Sequence, residues 1–325
     1  MRGAPELEEV ARRFRDNAGL RSKASIRLVS DVLGPTDWLF GPGDDAAAIA
    51  AGDDGYLLAA GEAMWPPFVE TDPYGAGVGA VVANVNDVAA MGGRPLGLVD
   101  TIVGSERTAR LVLEGMRHAS SQYEVPVVGG HLTVREGPPS VSAFVLGRAA
   151  VPLASRNAAP GQELLVAAAL DGTMHDRFPY FSALGSRVGR LAADLELLPL
   201  AAERGWCVAA KDVSMAGLLG SLAMLLEPTR SGISVDLDRL PRPEGVALAT
   251  WTEVFPSFGF LLCAVPEHSA ECAESFRARG LACERVGTLD GTGELRVSLG
   301  GNERTLLDLR RGTVTGLAGP RRGRA

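Results

Sequence analysis

Cysteine, histidine and aromatic residues are all scarce in this chain. Its 325 residues hold four cysteines and four histidines, and only 6% are Phe, Trp or Tyr. Cys207, Cys263, Cys272 and Cys283 form no C-x-x-C pair and have no zinc-finger spacing to histidines, which argues against a structural zinc site. They read instead as small buried hydrophobes. No apolar run approaches the ~18 residues that a membrane-spanning helix needs. The opening stretch MRGAPELEEVARRFRD is charged and amphipathic, without an apolar centre, and reads as a helix rather than a secretory signal. A reducing cytoplasm is the expected location. Basic runs are missing too, apart from the tail GPRRGRA at 319–325, which reads as frayed. With a net charge of −7 and a pI near 5.3, nucleic-acid binding through a phosphate-tracking face is not expected.

Glycine is what the chain has in excess, 40 residues, alongside 46% hydrophobic and 22% charged residues. That is the profile of a soluble globular protein with many tight turns and close backbone approaches. YLLAA at 56–60 reads as a buried strand. DPYGAGVGAVVANVNDVAAMGG at 72–93 reads as a helix, with Val78, Val81, Val82, Val85, Val88 and Ala89 on one face and a stop at Gly92 and Gly93. RPLGLVDTIV is a strand, ERTARLVLEGMRHASSQY a helix, VPVVGG a short strand ending in a glycine turn, and SVSAFVLGRA another strand.

In AVPLASRNAAPGQELLVAAAL, small residues and two prolines mark a boundary, so domains at 1–158 and 159–325 are expected. The second half continues with the strand ELLVAAAL, a long helix near 180–199, the strand WCVAAKDVS and the helix AGLLGSLAMLLE. The strands GISVDL and FGFLLCAV, the helix EHSAECAESFRARG and the strand ACERVGTL complete it. Strands interleaved with helices give a mixed α/β fold. The absence of a fixed-period repeat excludes a solenoid.

GAGVGA at 75–80 satisfies the dinucleotide fingerprint G-x-G-x-x-A, with Asp100 further on where that fingerprint expects an acid. Its context is wrong. A buried strand should run into the first glycine, whereas VETDPY is polar and contains a proline. Small residues at a close helix contact explain the run better. No Walker G-x-x-x-x-G-K-[ST] loop exists either.

The acids are placed more tellingly. Asp44 and Asp45 sit side by side in FGPGDDAAAIA, between a Gly-Pro-Gly turn and an apolar run. Glu62 follows the strand YLLAAG, Asp87 ends NVND with Asn84 three residues before it, and Asp212 lies in KDVSMAGLLG just before a helix. His131 follows VVGG. A single Asp at a strand end more often caps a helix or makes a turn. Several together suit Mg2+, which takes oxygen ligands from one or two carboxylates and from phosphates. A nucleoside triphosphate without a Walker loop needs ions held in this way. Lys23, Arg94 and Lys211 are candidates to reach phosphates, and His175 to touch an acceptor.

Five blocks in order, GPGDDAAAI, NVNDVAAMGGRPLGLVD, VVGGHLTV, KDVSMAGLLGSLAMLLE and FPSFGFLL, span residues 41 to 262. Together they resemble the aminoimidazole ribonucleotide (AIR) synthase superfamily, and the likeness is greatest to its synthase-related branch. Thiamine-monophosphate kinase, selenophosphate synthetase, the hydrogenase-maturation dehydratase and formylglycinamidine ribonucleotide amidotransferase belong to the same group. The resemblance implies a two-domain α/β fold, with an N-terminal sheet domain that dimerises and a C-terminal α/β sandwich. It implies ATP and Mg2+ as cofactors, and phosphoryl transfer to an oxygen of a small molecule by a ligase, cyclo-ligase or kinase. No nucleic-acid or membrane partner is expected.

The same resemblance assigns roles. Asp44, Asp45, Asp87, Asp212 and Glu62 become metal ligands, with Glu62 misaligned by about one position through the extra residues of GEAMWPPF. Asp45, Asp87, Asp212 and His131 become catalytic, and Asp44, Asn84, Gly129, Gly130, Lys23 and Ser214 bind the nucleotide. The chain also departs from its relatives. His131 stands where the kinase has an aspartate, and Met215 and Ala216 stand where Asp-Gly or Gly-Gly is usual. A C-terminal or N-terminal reactive cysteine is absent, which speaks against the dehydratase and selenophosphate activities. The departures leave a nucleotide-binding sensor without turnover as the alternative.

Overall fold

The computed structural model describes residues 3–34 and 43–317. Gly41 and Pro42 of the first block and the basic tail lie outside the described residues. The chain divides into two compact units that do not follow chain order. One comprises Asp45–Pro152 with Leu184–Leu200, the other Met1–Asp44, Leu153–Ala183 and Ala201–Ala325.

The first unit is built on a five-stranded sheet. Its strands are β1 (Ala47–Ala50), β2 (Tyr56–Ala63), β3 (Arg94–Gly104), β4 (Val127–Val134) and β5 (Ser140–Ala149), in the order β1-β2-β5-β3-β4. All pairs are antiparallel except β3 with β4. Strict alternation along β5 buries Val141, Ala143, Val145 and Ala149 on one face. The helices Pro73–Ala90 and Glu106–Tyr123 form part of this unit, the first of them packing on β5 and β2.

The Pro73–Ala90 helix starts where the Asp72 side chain accepts from Gly75 N at 2.8 Å, with proline in its first turn. It stops at Gly92, whose φ of 70° suits glycine. Its GAGVGA run is a helix-packing surface. A Cβ on Gly77 would lie 2.0 Å from the Val112 carbonyl oxygen, and one on Gly115 would lie 2.1 Å from that of Tyr74. The dinucleotide fingerprint is therefore a close crossing of two helices.

Two expected elements differ. The glycines of VVGG do not end a strand; β4 runs through them to Val134, paired with β3. A Cβ on Gly130 would sit 2.6 Å from a carboxylate oxygen of Asp100, so the glycine makes room for that side chain. The long helix near 180–199 is instead the short strand Tyr180–Ser182 and the helices Leu191–Leu195 and Leu197–Glu203. Pro179, Gly185, Gly189 and Pro199 interrupt the helical pattern. Residues 184–200 join the first unit, where a fully buried Arg187 meets Asp194 at 2.8 Å and Arg94 meets Glu196 at 2.8 Å.

The second unit carries β6 (Glu163–Ala168), β7 (Thr173–Met174), β8 (Tyr180–Ser182), β9 (Cys207–Asp212), β10 (Gly232–Asp236), β11 (Phe255–Pro256), β12 (Gly259–Ala264), β13 (Ala282–Asp290), β14 (Glu294–Leu299) and β15 (Asn302–Asp308). Seven of them form a sheet in the order β15-β14-β10-β13-β6-β12-β9, and β11-β8-β7 form a small second one. Leu7, Val10 and Phe14 of the Ala4–Asp16 helix join Leu222, Leu226, Ile233 and Leu261 in its core. The apolar stripe of that first helix is thus buried with the C-terminal half of the chain. The division at residue 158 expected from composition is accordingly not the one the contacts make.

Candidate metal centre

Asp45 lies two residues before β1, and Asp87 lies in the last turn of the Pro73–Ala90 helix, nine-tenths buried. Each offers a carboxylate oxygen, and these lie within 4.8 Å of each other. Two carboxylates so close repel unless a cation or proton lies between them. Asn84 sits one helical turn before Asp87 and is fully buried. Its Nδ2 donates to the Ala80 carbonyl at 2.8 Å, while its Oδ1 has no hydrogen-bond partner. An orphan buried acceptor is rare, and it asks for a donor or an ion. The two carboxylates are hard oxygen donors of the kind that Mg2+ takes.

Asp44 behaves differently from its neighbour. Its Oδ1 accepts from Ser155 N at 2.8 Å and from the Ser155 hydroxyl. Asp44 is a loop anchor, and it does not belong to the acid group that contains Asp45. Of the two adjacent aspartates expected as metal ligands, only Asp45 lies in that group. Neighbouring side chains point to different sides of the backbone, and only one of them finds Ser155.

Glu62 lies within β2, opposite Ala143, and is exposed; it too is outside the acid group. His131 is exposed on β4, in register with Thr101, and its Nε2 lies 3.2 Å from Thr133 Oγ1. Thr101 is exposed between the buried Asp100 and Ile102, so His131 projects to the sheet face away from the helix that carries Asp87. Gly129 and Gly130 are ladder residues of β4 rather than a phosphate-cradling turn.

In the other unit, Asp212 ends β9 opposite Phe260 and is buried. Lys211 Nζ lies 3.9 Å from its Oδ1. Ser214 N donates to Ser221 Oγ at 3.1 Å, joining the loop after β9 to the Gly217–Leu226 helix. Lys23 begins a 3-10 turn, Lys23–Ile26. Asp100, which the motifs offered only within a false fingerprint, is a buried acid on β3. Removal from water pushes its carboxyl pKa up. Its one signal in the sequence is the glycine pair that lies across the ladder from it.

The AIR synthase related protein family matches in two parts, its N-terminal domain over residues 43–149 and its C-terminal domain over 166–300. The chain belongs to this family. An uncharacterized protein of Synechocystis sp., sll0787, is 37% identical over 85% of this chain and 87% of its own length. Thiamine-monophosphate kinase of Rhodopirellula baltica is 28% identical over 60% of this chain and 62% of its own.

Among solved structures, T. maritima PurL complexed with ATP aligns with a TM-score of 0.70 at 21% identity, covering 81% of this chain and 46% of that one. AaThiL complexed with AMPPCP and TMP aligns with a TM-score of 0.67 at 18% identity, covering 86% and 95%. The AIR synthase-like fold of two α/β domains expected from the motifs is therefore the fold observed. The chain spans about half the length of the PurL chains it matches. Among the described residues no helix is long and apolar enough to cross a membrane.

Proposed function

We propose that this AIR synthase-related chain binds ATP with Mg2+ and transfers the terminal phosphoryl group to an oxygen of a small acceptor. The observation that carries this reading is the Asp45–Asp87 carboxylate pair, with the orphan oxygen of Asn84 one helical turn before Asp87. A donor set of this kind suits a hard cation and, through it, a triphosphate. The ATP and AMPPCP complexes of PurL and ThiL lend the nucleotide its support.

In this reading Asp45 and Asp87 hold Mg2+. Bound there, Mg2+ supplies neutralisation of the phosphate charge. The acceptor oxygen attacks the terminal phosphorus as the bond to the departing ADP oxygen breaks, and the acceptor's proton leaves to solvent. Such transfer needs little covalent help from the protein, so positioning and charge complementarity account for most of the rate. Asp44, tied to Ser155, acts by holding the loop in place. Both ring closure of an amide and phosphorylation of a phosphate ester fit this scheme as reaction classes.

The acting unit is a homodimer joined through the five-stranded sheet, whose outer face exposes Ile49, Leu57, Val99, Phe144 and Leu146. A contiguous apolar face of this kind is rare on a monomer. A cytoplasmic location fits the same reading. The placement of His131 away from the Asp87 helix favours, as a second reading, a nucleotide sensor without turnover.

Calorimetry with Mg2+ and AMPPCP tests the first proposal. The wild type should bind, and Asp87→Asn should weaken binding by at least about tenfold. Unchanged affinity in that variant would sink the carboxylate site. Phosphate release across a panel of metabolites then separates enzyme from sensor, since steady silence with tight binding favours the sensor.

A further inference from the structure

All four cysteines, Cys207, Cys263, Cys272 and Cys283, are buried thiols of the second unit, and the functional reading uses none of them. Three lie on strands of the seven-stranded sheet, β9, β12 and β13, and Cys272 lies on the Ser269–Arg277 helix. Burial alone is the ordinary state of a free cysteine. Two of the four do more than fill space. Cys207 Sγ and Cys272 Sγ lie 3.6 Å apart, the one sulfur–sulfur contact among the described residues. A disulfide bond is about 2.05 Å long, so these sulfurs stand about 1.5 Å short of bonding distance.

The two elements that carry them are held by different neighbours. Strand β9 stands at the end of the seven-stranded sheet and pairs with β12 alone. That ladder is irregular where Cys207 joins it, because Ala264 pairs with Cys207 while Cys263 pairs with Ala209, leaving Val208 as a bulge. The Ser269–Arg277 helix buries Cys272, Ala273 and Phe276 and packs on β13 and β6. A bond between the sulfurs would tie the edge strand to this helix across 65 positions of the chain. The stabilising effect of such a tie grows with the length of the loop it closes.

We propose that Cys207 and Cys272 are a redox-modifiable pair, a dithiol when reduced, which a peroxide converts to a disulfide that pins β9 to the Ser269–Arg277 helix. With hydrogen peroxide, one sulfur attacks an oxygen, the O–O bond breaks, and an S–O bond forms as water leaves. The second sulfur then displaces the hydroxyl of this sulfenic acid, which departs as water with the second thiol's proton. Both sulfurs are oxidised and both peroxide oxygens are reduced. A small thiol reverses the change by exchange.

The thiolate is the attacking form. Contact with Cys272, together with burial, holds the Cys207 thiol well above its ordinary pKa. The first step is therefore slow and waits on local opening of the short helix. The second is not, since its partner is already in place. The pair thus answers sustained oxidant rather than a brief pulse, and it stays reduced in a thiol-rich compartment. The inference does not depend on the reading of the metal centre.

The test is to treat the folded full chain with hydrogen peroxide, quench it in acid, alkylate it in denaturant and map the peptides. The free thiols should fall from four to two, with the Cys207 and Cys272 peptides joined and dithiothreitol separating them. Against the reduced chain, Tm should rise by at least about 3 °C. Cys272→Ala should form no bond under the same treatment, and Cys207→Ala serves if that variant does not fold. Cys263→Ala should still form it.

Four free thiols after a treatment that oxidises free cysteine would overturn the proposal. A bond that includes Cys263 or Cys283 would do the same, as would oxidation to sulfinic acid without any bond. A Cys207–Cys272 bond that leaves Tm unchanged removes the pinning and overturns it likewise.

Discussion

The two large sheets differ in how they meet their surroundings. In the seven-stranded sheet, every residue of β12 is buried, and β6 is buried from Leu164 to Ala168. Those strands are continuous apolar runs covered on both faces. In the five-stranded sheet, β5 alternates residue by residue, and Phe144 and Leu146 on its outer face are 46% and 61% exposed. The first sheet completes its own core. The second leaves half of its apolar surface open, which suits a partner copy.

Cutting into the closed sheet should produce the largest effect. Phe260→Ala on β12 removes a fully buried ring in edge-to-face contact with Phe258 at 5.0 Å. It should cost about 3–5 kcal/mol in urea unfolding. A loss below about 1 kcal/mol would mean that this core can collapse to fill the gap.

Leu146→Asp on the open face sharpens the contrast from the other side. It should change the stability of the single chain little, yet convert a dimer into a monomer at micromolar concentration in light scattering. A wild type that already runs as a monomer would break the comparison, because the bare face would then need another explanation.

Ser155→Ala removes one of the two donors that hold Asp44 and leaves the backbone N–H in place. A destabilisation of about 1 kcal/mol is expected, with metal affinity falling less than in Asp87→Asn. If Ser155→Ala instead abolished metal binding as fully as Asp87→Asn, Asp44 and Asp45 would have to act as one unit.

The smallest effect concerns Asp100, the buried acid on the covered face of the five-stranded sheet. Burial raises its pKa in the folded chain above the unfolded value. The folded state therefore holds this proton more tightly, and ionisation opposes folding once the pH exceeds the ordinary carboxylate range. Asp100→Asn should raise Tm modestly at pH 8, and the gain should vanish as the pH falls toward 4. A gain independent of pH would exclude titration as its cause.

Much of this was legible in the sequence because it is local. The valine stripe of residues 78–88 and its glycine stop specified a helix, and the alternation of SVSAFVLGRA specified a half-buried strand. Other features were written there but passed over. Gly300 and Gly301, with φ of 55° and 79°, make the tight turn between β14 and β15, and that glycine pair between alternating runs is a hairpin signal. The glycines of VVGG misled in the opposite direction. A glycine pair looks like a turn until the side chain that presses on it from the next strand is known.

The sequence by itself determined the family, most of the elements and the short set of acids from which any metal site must be drawn. Motifs and periodicity are properties of nearby residues, and they survive without coordinates. Only the tertiary structure decided how Asp44 and Asp45 part company. Both are aspartates in one loop, and the serine that claims one of them is 111 residues away. It also decided that the first helix is buried with the far half of the chain. The depth of burial that raises Asp100's pKa was likewise settled only by folding. Each of these depends on contacts between distant segments, and no local pattern encodes the partner at the other end.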